Sequence, residues 1–291
     1  MSELELRQTT VEASAEHRPP RRRDRLPRVG TLLAAAFVVF LVAATCFPGL
    51  VATHDPNQIA AAEAFRSPSL AHWFGTDESG RDVYSRVIAG TGTSLLIGVT
   101  ATSIGLAFGL ALGVLASFGG RALDFGVSRV VEVLFAFPGL LLALLVIVIY
   151  GPGPVTATIA VGLSTAPGYA RIIRGQLVSI RSAQFVESAR VLGHSSARIL
   201  ARHIVPNALV PIFVLATLGI GQAIVWASAL SYLGLGAQPP AAEWGAMLAA
   251  GRTYLAGAWW MTVFPGLMIV GTTIATTVLG RALARRGRGR S

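Results

Sequence analysis

The stretch TGTSLLIGVTATSIGLAFGLALGVLASFGG, residues 91–120, runs through thirty positions without one charged side chain. A helix needs roughly 20 mostly apolar residues to cross about 30 Å of hydrocarbon, so this run alone predicts a membrane span. Within it Gly98, Gly105, Gly109 and Gly113 recur along one helix, a spacing that favours close packing against a neighbouring helix and, secondarily, a mobile gate.

The rest of the chain repeats the pattern. Of its 291 residues 53% are hydrophobic and only 13% are charged, more apolar matter than one soluble core uses. The charges lie in clusters between long uncharged runs at residues 30–53, 133–150, 207–236 and 257–280. Residues 155–170 form a shorter run that covers only about 24 Å as a helix and contains Pro167 and Gly168. The expected fold is therefore an all-α polytopic membrane protein with about six transmembrane helices. The run at 30–53 is longer than the apolar core of a signal peptide and lacks a small-residue cleavage site, so it is read as a retained anchor. The single cysteine, Cys46, excludes an intrachain disulfide and a cysteine-based metal cluster.

A net charge of +10 suits either nucleic acid or an anionic membrane surface, and the placement of the arginines decides for the membrane. Seven arginines fall in residues 1–29, two in 121–129, six in 171–205 and five after Leu279, whereas only Arg66, Arg81, Arg86 and Arg252 fall in the intervening segments. Six spans put the four richer segments on the cytoplasmic side, as the positive-inside rule requires, and omission of the short span would move the tail outside. The expected organisation is a disordered basic cytoplasmic tail at 1–29, a first transmembrane helix at 30–53 and an extracytoplasmic segment at 54–90 with room for short interfacial helices. A five-helix core at 91–280 includes a cytoplasmic loop at 171–205, and a basic tail follows at 281–291. Residues 231–256 form a second external excursion. Both termini are expected to be cytoplasmic.

The 171–205 loop is too arginine-rich to span, yet it is patterned. Residues 183–192 are good helix formers with Phe185, Ala189 and Leu192 on one face, and Gly193 supplies a stop. Ser195 is a plausible N-cap for a second helix carrying Ile199, Leu200, His203 and Ile204, which Pro206 is expected to end. A helix, a glycine turn and a helix make a compact knob suited to docking in another protein's groove. An amphipathic pair resting on anionic lipid, with Arg198 and Arg202 as snorkelling anchors, fits the same pattern.

The segment Glu187-Ser-Ala-Arg-Val-Leu-Gly193, followed by Ala-Arg-His-Ile-Val-Pro206-Asn207, resembles the EAA loop of ABC importer permeases in the dipeptide, oligopeptide and nickel branch. Ordered matches accompany it: GTDESGRDVYSR at 75–86, PGYAR at 167–171, YLGLGAQPP at 232–240, EWGAML at 243–248, and AWW at 258–260 with FPG at 264–266. The resemblance implies a subunit in a bacterial plasma (inner) membrane that pairs with a second, similar permease, above two cytoplasmic ATP-binding subunits and beneath an extracytoplasmic solute-binding protein. It implies that Glu187, Ser188, Ala189, Gly193, Arg198, His203 and Pro206 belong to the ATPase-docking coupling loop. Gly75, Asp77, Gly80, Arg81, Asp82 and Arg86 form the family's extracytoplasmic motif. Ser188 stands where alanine is commoner, and the tail LGRALARR at 279–286 lacks the acidic ending of many relatives.

Several chemistries are excluded or disfavoured. The chain contains no lysine, so it has no phosphate-binding Gly-x-x-x-x-Gly-Lys-Ser/Thr loop, and ATP hydrolysis must come from a partner. No paired carboxylates or Ser/His/Asp set converges at one membrane depth, so no catalytic residues, cofactor or metal are assigned. His194, His203 and Glu187 lack the close spacing of a metal site, and His203 is read as a cation near a helix C-terminus. Asp82 and Arg86 are spaced for an i,i+4 ion pair on a solvated helix, or for a role in binding-protein docking. Glu132 is placed to pair with Arg129. The competing function is an ion-coupled secondary transporter, which the absence of a midspan acid disfavours; a lipid-embedded assembly protein is a third reading. Within the ABC reading the cargo is a di- or oligopeptide, with nickel or another small solute as the alternative.

Overall fold

The computed structural model describes residues 27–288, and most of the 1–29 tail and the last three residues of the 281–291 tail lie outside them. Among the described residues eleven α-helices follow one another: α1 (Pro27–Cys46), α2 (Pro48–Val51), α3 (Val83–Phe118), α4 (Gly120–Phe135), α5 (Gly139–Tyr150), α6 (Pro154–Arg181), α7 (Gln184–Val191), α8 (Ser196–Ile199), α9 (Val205–Tyr232), α10 (Trp244–Gly251) and α11 (Trp260–Arg288). The same residues contain no strand, only an isolated bridge between Thr76 and Asp82.

α3 is the axis of the bundle. Asp82 caps it by accepting a hydrogen bond from the Ser85 amide at 2.8 Å. Its 36 residues extend about 54 Å, well beyond the bilayer core, and it starts at Val83 rather than at residue 91. The surplus turns, with Val83, Val87 and Ile88 buried, pack into an ordered cap and not into lipid. Farther along, Gly105, Gly109 and Gly113 let α3 lie against α6, where a Cβ on Gly109 would come within 2.5 Å of the Tyr169 Cβ. Gly98 gives the same access to Ile224 of α9. The glycine series is thus a packing face, as its spacing predicts.

Three expectations need correction. The span expected at 133–150 is two helices, α4 and α5, bent by 91° at residues 136–138. Pro138 has no amide hydrogen to continue α4, and its extended backbone (ψ 129°) starts α5 in a new direction. Second, the doubtful short run at 155–170 is the first part of α6, a continuous helix of 28 residues that passes through Pro167. Arg171, Arg174 and Arg181 therefore sit on α6 rather than in a loop. Third, Pro206 does not end the helix before it: residues Leu200–Ile204 form a π-helical turn that leads directly into α9.

Among the described residues, four helices are long and apolar enough to cross a membrane, Val29–Cys46, Val83–Phe118, Ser196–Tyr232 and Trp260–Arg285, with a fifth crossing if the bent pair counts as one span. α6 is less apolar because it packs against protein: Ala157, Ala160, Val161, Gly162 and Ser164 are buried among α3, α5 and α9. α1 and α9 both pack against α11. Many large apolar side chains stay exposed, among them Val148, Ile149 and Leu145 of α5, as expected of a surface in lipid.

Candidate functional sites at the two ends of the bundle

At one end, α7 and α8 form a knob between the long helices α6 and α9. Ala183, with extended backbone, starts α7, and Glu187 in its first turn faces solvent where a carboxylate suits the helix dipole. The buried face is Val186 and Ala189, which pack with Ile173, Leu177, Ile199, Ile204 and Ala208. Phe185 and Leu192, expected on that face, are exposed, Leu192 at 74%. The knob is thereby seated on protein by its own apolar face, and lipid is not needed to cover it. Gly193 turns the chain with φ +76°, and a Cβ there would meet nothing within 4 Å. Ser195 caps α8 by accepting from the Arg198 amide at 3.4 Å. Glu187, Ser188, Gly193, Arg198 and Pro206 are all exposed.

The π turn explains how the knob joins α9. The Val205 amide donates to the Leu200 carbonyl, five residues back. Pro206 has no amide to offer Arg202, and its ring needs the room that a widened turn supplies. Asn207 Nδ2 donates to the His203 carbonyl at 2.6 Å. His203 consequently lies inside a continuing helix and not at a helix C-terminus; its ring is 6.3 Å from that of His194. Glu187 does not join the two histidines in any metal-capable grouping among the described residues.

At the other end, residues 53–90 and 237–264 build the cap around the 75–86 motif. Gly75 and Gly80 take φ of +72° and +76°, and a Cβ on Gly80 would overlap the Ala60 carbonyl. Asp77 accepts from the Ser79 and Arg81 amides through Oδ1 and from Arg81 Nε through Oδ2 at 2.7 Å. Arg86 does not pair with Asp82. Its guanidinium lies 3.5 Å from Asp77 Oδ2 and donates to the carbonyls of Pro240 at 2.7 Å and Pro56 at 3.3 Å. Asp82 instead caps α3 and faces His72. Asp77, Arg81, Asp82 and Arg86 are all buried, so this motif is the frame of the cap and not a solvated helix face.

Sequence reasoning quotes EWGAML and AWW as family matches but assigns no role to the residues of this frame within them. Glu243, 2% exposed, caps α10 by accepting from the Gly245 and Ala246 amides, both at 2.9 Å. Trp244 Nε1 donates to the Val87 carbonyl and Trp260 Nε1 to the Thr76 carbonyl, each at 3.0 Å, tying the second excursion to the first. An acid directly before the run 244–251 is a readable capping signal for Glu243. His54 and His72 carry none, because their proximity to Asp82 is created only by folding.

Between the ends, the α4–α5 bend leaves a concave groove of about 430 Å³. Its wall includes Phe135, Ser164, Thr165, Tyr169, Gln222 and Trp226, drawn from the bent pair, α6 and α9. On the other side of α4, Asp124 holds Arg174 through two hydrogen bonds of 2.6 and 2.9 Å, and Arg129 pairs with Glu132 at 3.1 Å as its spacing predicts.

Comparison with known proteins matches residues 105–289 to the family described as binding-protein-dependent transport system inner membrane component. The dipeptide transport system permease protein DppC of Alkalihalophilus pseudofirmus is 36% identical over 90% of this chain and 85% of its own length. The glutathione transport system permease protein GsiD of Escherichia coli O6:K15:H31 is 43% identical over 87% of this chain and 84% of its own. The probable D,D-dipeptide permease DdpC of Escherichia coli K12 is 39% identical over 86% and 84%. Among solved structures, an inward-facing MetNI methionine ABC transporter chain superposes with a TM-score of 0.54 at 22% identity, over 70% of this chain and 96% of that one, a likeness of fold. These matches show that this chain belongs to the binding-protein-dependent transport system inner membrane components, the multi-pass permease subunits of ABC importers, which work with ATP-binding subunits and a binding protein and do not themselves hydrolyse ATP.

Proposed function

We propose that this chain is one of two dissimilar permeases of an importer for di- or oligopeptides, with two ATP-binding subunits at the knob and a solute-binding protein at the cap. The termini and the knob are cytoplasmic in this reading, and the helices α1, α3, α4–α5, α6, α9 and α11 supply six crossings. The arginine distribution supports that orientation, and the relatives that transport dipeptides and glutathione support the cargo class.

The observation that carries the reading is the knob itself. It is anchored by Val186 and Ala189, while Val191 and Leu192 beside the Gly193 turn are 84% and 74% exposed. Exposed apolar side chains on a rigid protrusion fit a partner's cleft. Force on α7 reaches two crossings at once, since α6 leads into the knob and α9 leaves it without a break. ATPase closure at the knob then tilts α6 and α9, which carry Tyr169, Gln222 and Trp226 of the groove wall, and a second permease facing the groove completes the path.

The test is Leu192→Glu in the complex reconstituted in liposomes. Leu192 makes no core contact that the fold needs, so the expected outcome is normal expression and thermal unfolding with loss of ATPase co-purification and at least a tenfold loss of peptide uptake. Undiminished co-purification and uptake would overturn the docking assignment; uptake of nickel ions in place of peptides would overturn the cargo.

A further inference from the structure

We propose that the cap holds a divalent transition-metal ion, zinc in the first instance, between His54, His72 and Asp82. The three residues come from separate places: His54 follows α2, His72 lies in the loop before the 75–86 motif, and Asp82 caps α3. Their ligand atoms all lie within 4.8 Å of one another. Asp82 Oδ1 is 2.9 Å from His72 Nδ1 and 3.8 Å from His54 Nδ1. These separations fall on either side of about 3.3 Å, the ligand-to-ligand edge of a tetrahedron whose centre is ~2.0 Å from each donor.

The surroundings have the form of a supported metal site. His72 turns its other nitrogen, Nε2, to Glu63 Oε2 at 3.2 Å, the carboxylate–histidine arrangement that orients a ligating imidazole. The second oxygen of Asp82 accepts from the Ser85 amide at 2.8 Å, and Oδ1, hydrogen-bonded to His72 Nδ1 at 2.9 Å, would exchange that bond for a shared ion. The backbone of His54 is fixed by its amide, which donates to Ser85 Oγ at 2.9 Å. His72 and Asp82 are buried and the His54 side chain is 40% exposed, so an ion has a route in and a fourth position open to water. Two imidazoles and one carboxylate are donors for zinc and its transition-metal neighbours, whereas calcium and magnesium prefer all-oxygen sets. An ion there would tie the segment after α1 to the first turn of α3, beside the Asp77–Arg81–Arg86 network.

The experiment uses the full chain, purified in detergent through a tag that contains no histidine, stripped with chelator and dialysed against zinc. We expect one equivalent of zinc per chain by elemental analysis, a higher unfolding temperature with zinc than with chelator, and tetrahedral d–d absorption when cobalt replaces zinc. His54→Ala, at a partly exposed position, should keep the helical circular dichroism and lose at least tenfold in zinc affinity. Glu63→Gln should weaken binding by about 10- to 100-fold through the orientation of His72. Substoichiometric zinc in the wild type, or equal affinity in His54→Ala, would overturn the site. Neither outcome depends on transport, so the importer reading stands or falls separately.

Discussion

At the scale of single residues, buried charge is spent on backbone hydrogen bonds rather than on transport chemistry. Glu243 is the clearest case: its carboxylate accepts from two amides of α10 and lies 3.4 Å from the Ser94 hydroxyl of α3. Glu243→Ala leaves those donors without a partner in a water-poor site, at a cost of about 1–3 kcal/mol. The expected result is a lower unfolding temperature in detergent, with Glu243→Gln intermediate because an amide oxygen still accepts one of the bonds. Asp77 and Arg86 work in the same way in the segment before α3 and its first turn, so the 75–86 motif reads as a structural frame. The sequence singles out Asp77, Arg81, Asp82 and Arg86, yet its spacing pairs Asp82 with Arg86. Spacing along one helix misleads there, because Asp82 precedes the helix and turns toward His72, while Arg86 reaches across to Pro240.

At the scale of elements, the glycines of α3 separate packing from mere composition. Gly109 faces Tyr169 and Ala170 of α6, whereas a methyl group on Gly126, in the amphipathic α4, would meet nothing within 4 Å. Gly109→Leu should force α3 and α6 apart at a cost of at least about 1–3 kcal/mol, seen as a fall in unfolding temperature or in folded yield. Gly126→Ala should be neutral or raise stability by roughly 0.5–1 kcal/mol, since it removes backbone freedom and meets no obstacle. Equal effects of the two would show that α3 and α6 do not pack through this face. The knob teaches a related lesson. Residues 184–191 are legible as a helix and Gly193 as its stop, but the proline at 206 reads as an end where the helix widens and continues. Local propensity places a break at proline; the continuation depends on a π turn whose Ile204, with Ile199 just before the turn, is held in the core with Ile173 and Leu177.

For the whole molecule, the bent pair α4–α5 and the faces of α6 and α9 leave one side of the bundle concave. Its polar groups are neutral, Ser164, Thr165, Tyr169 and Gln222, with Trp226 and Phe135 as apolar wall. Such a lining suits the peptide bonds of a passing cargo, because it offers hydrogen bonds without a fixed charge that would trap one end. Trp226→Ala should therefore alter uptake, by about tenfold or more in kcat/KM, and leave ATPase co-purification intact, since Trp226 is remote from the knob in the chain. Transport assays paired with pull-downs check this: unchanged uptake would remove Trp226 from the path, and lost co-purification would make it part of the coupling route.

The membrane class, the long apolar helices, the amphipathic knob with its Gly193 turn and Ser195 cap, and the family were all written in the sequence. The first three rest on composition and short-range spacing, which a bilayer enforces strongly by excluding charge and demanding satisfied backbone groups, and the family rests on the resemblance of ordered motifs. Only the tertiary structure decided that the bent pair turns by 91°, that α6 carries three of the loop's arginines, that Val186 and not Phe185 anchors the knob, and that His54, His72 and Asp82 meet. The last two depend on contacts between segments apart in the chain, and such contacts are selected by the packing of whole helices, which local pattern does not encode.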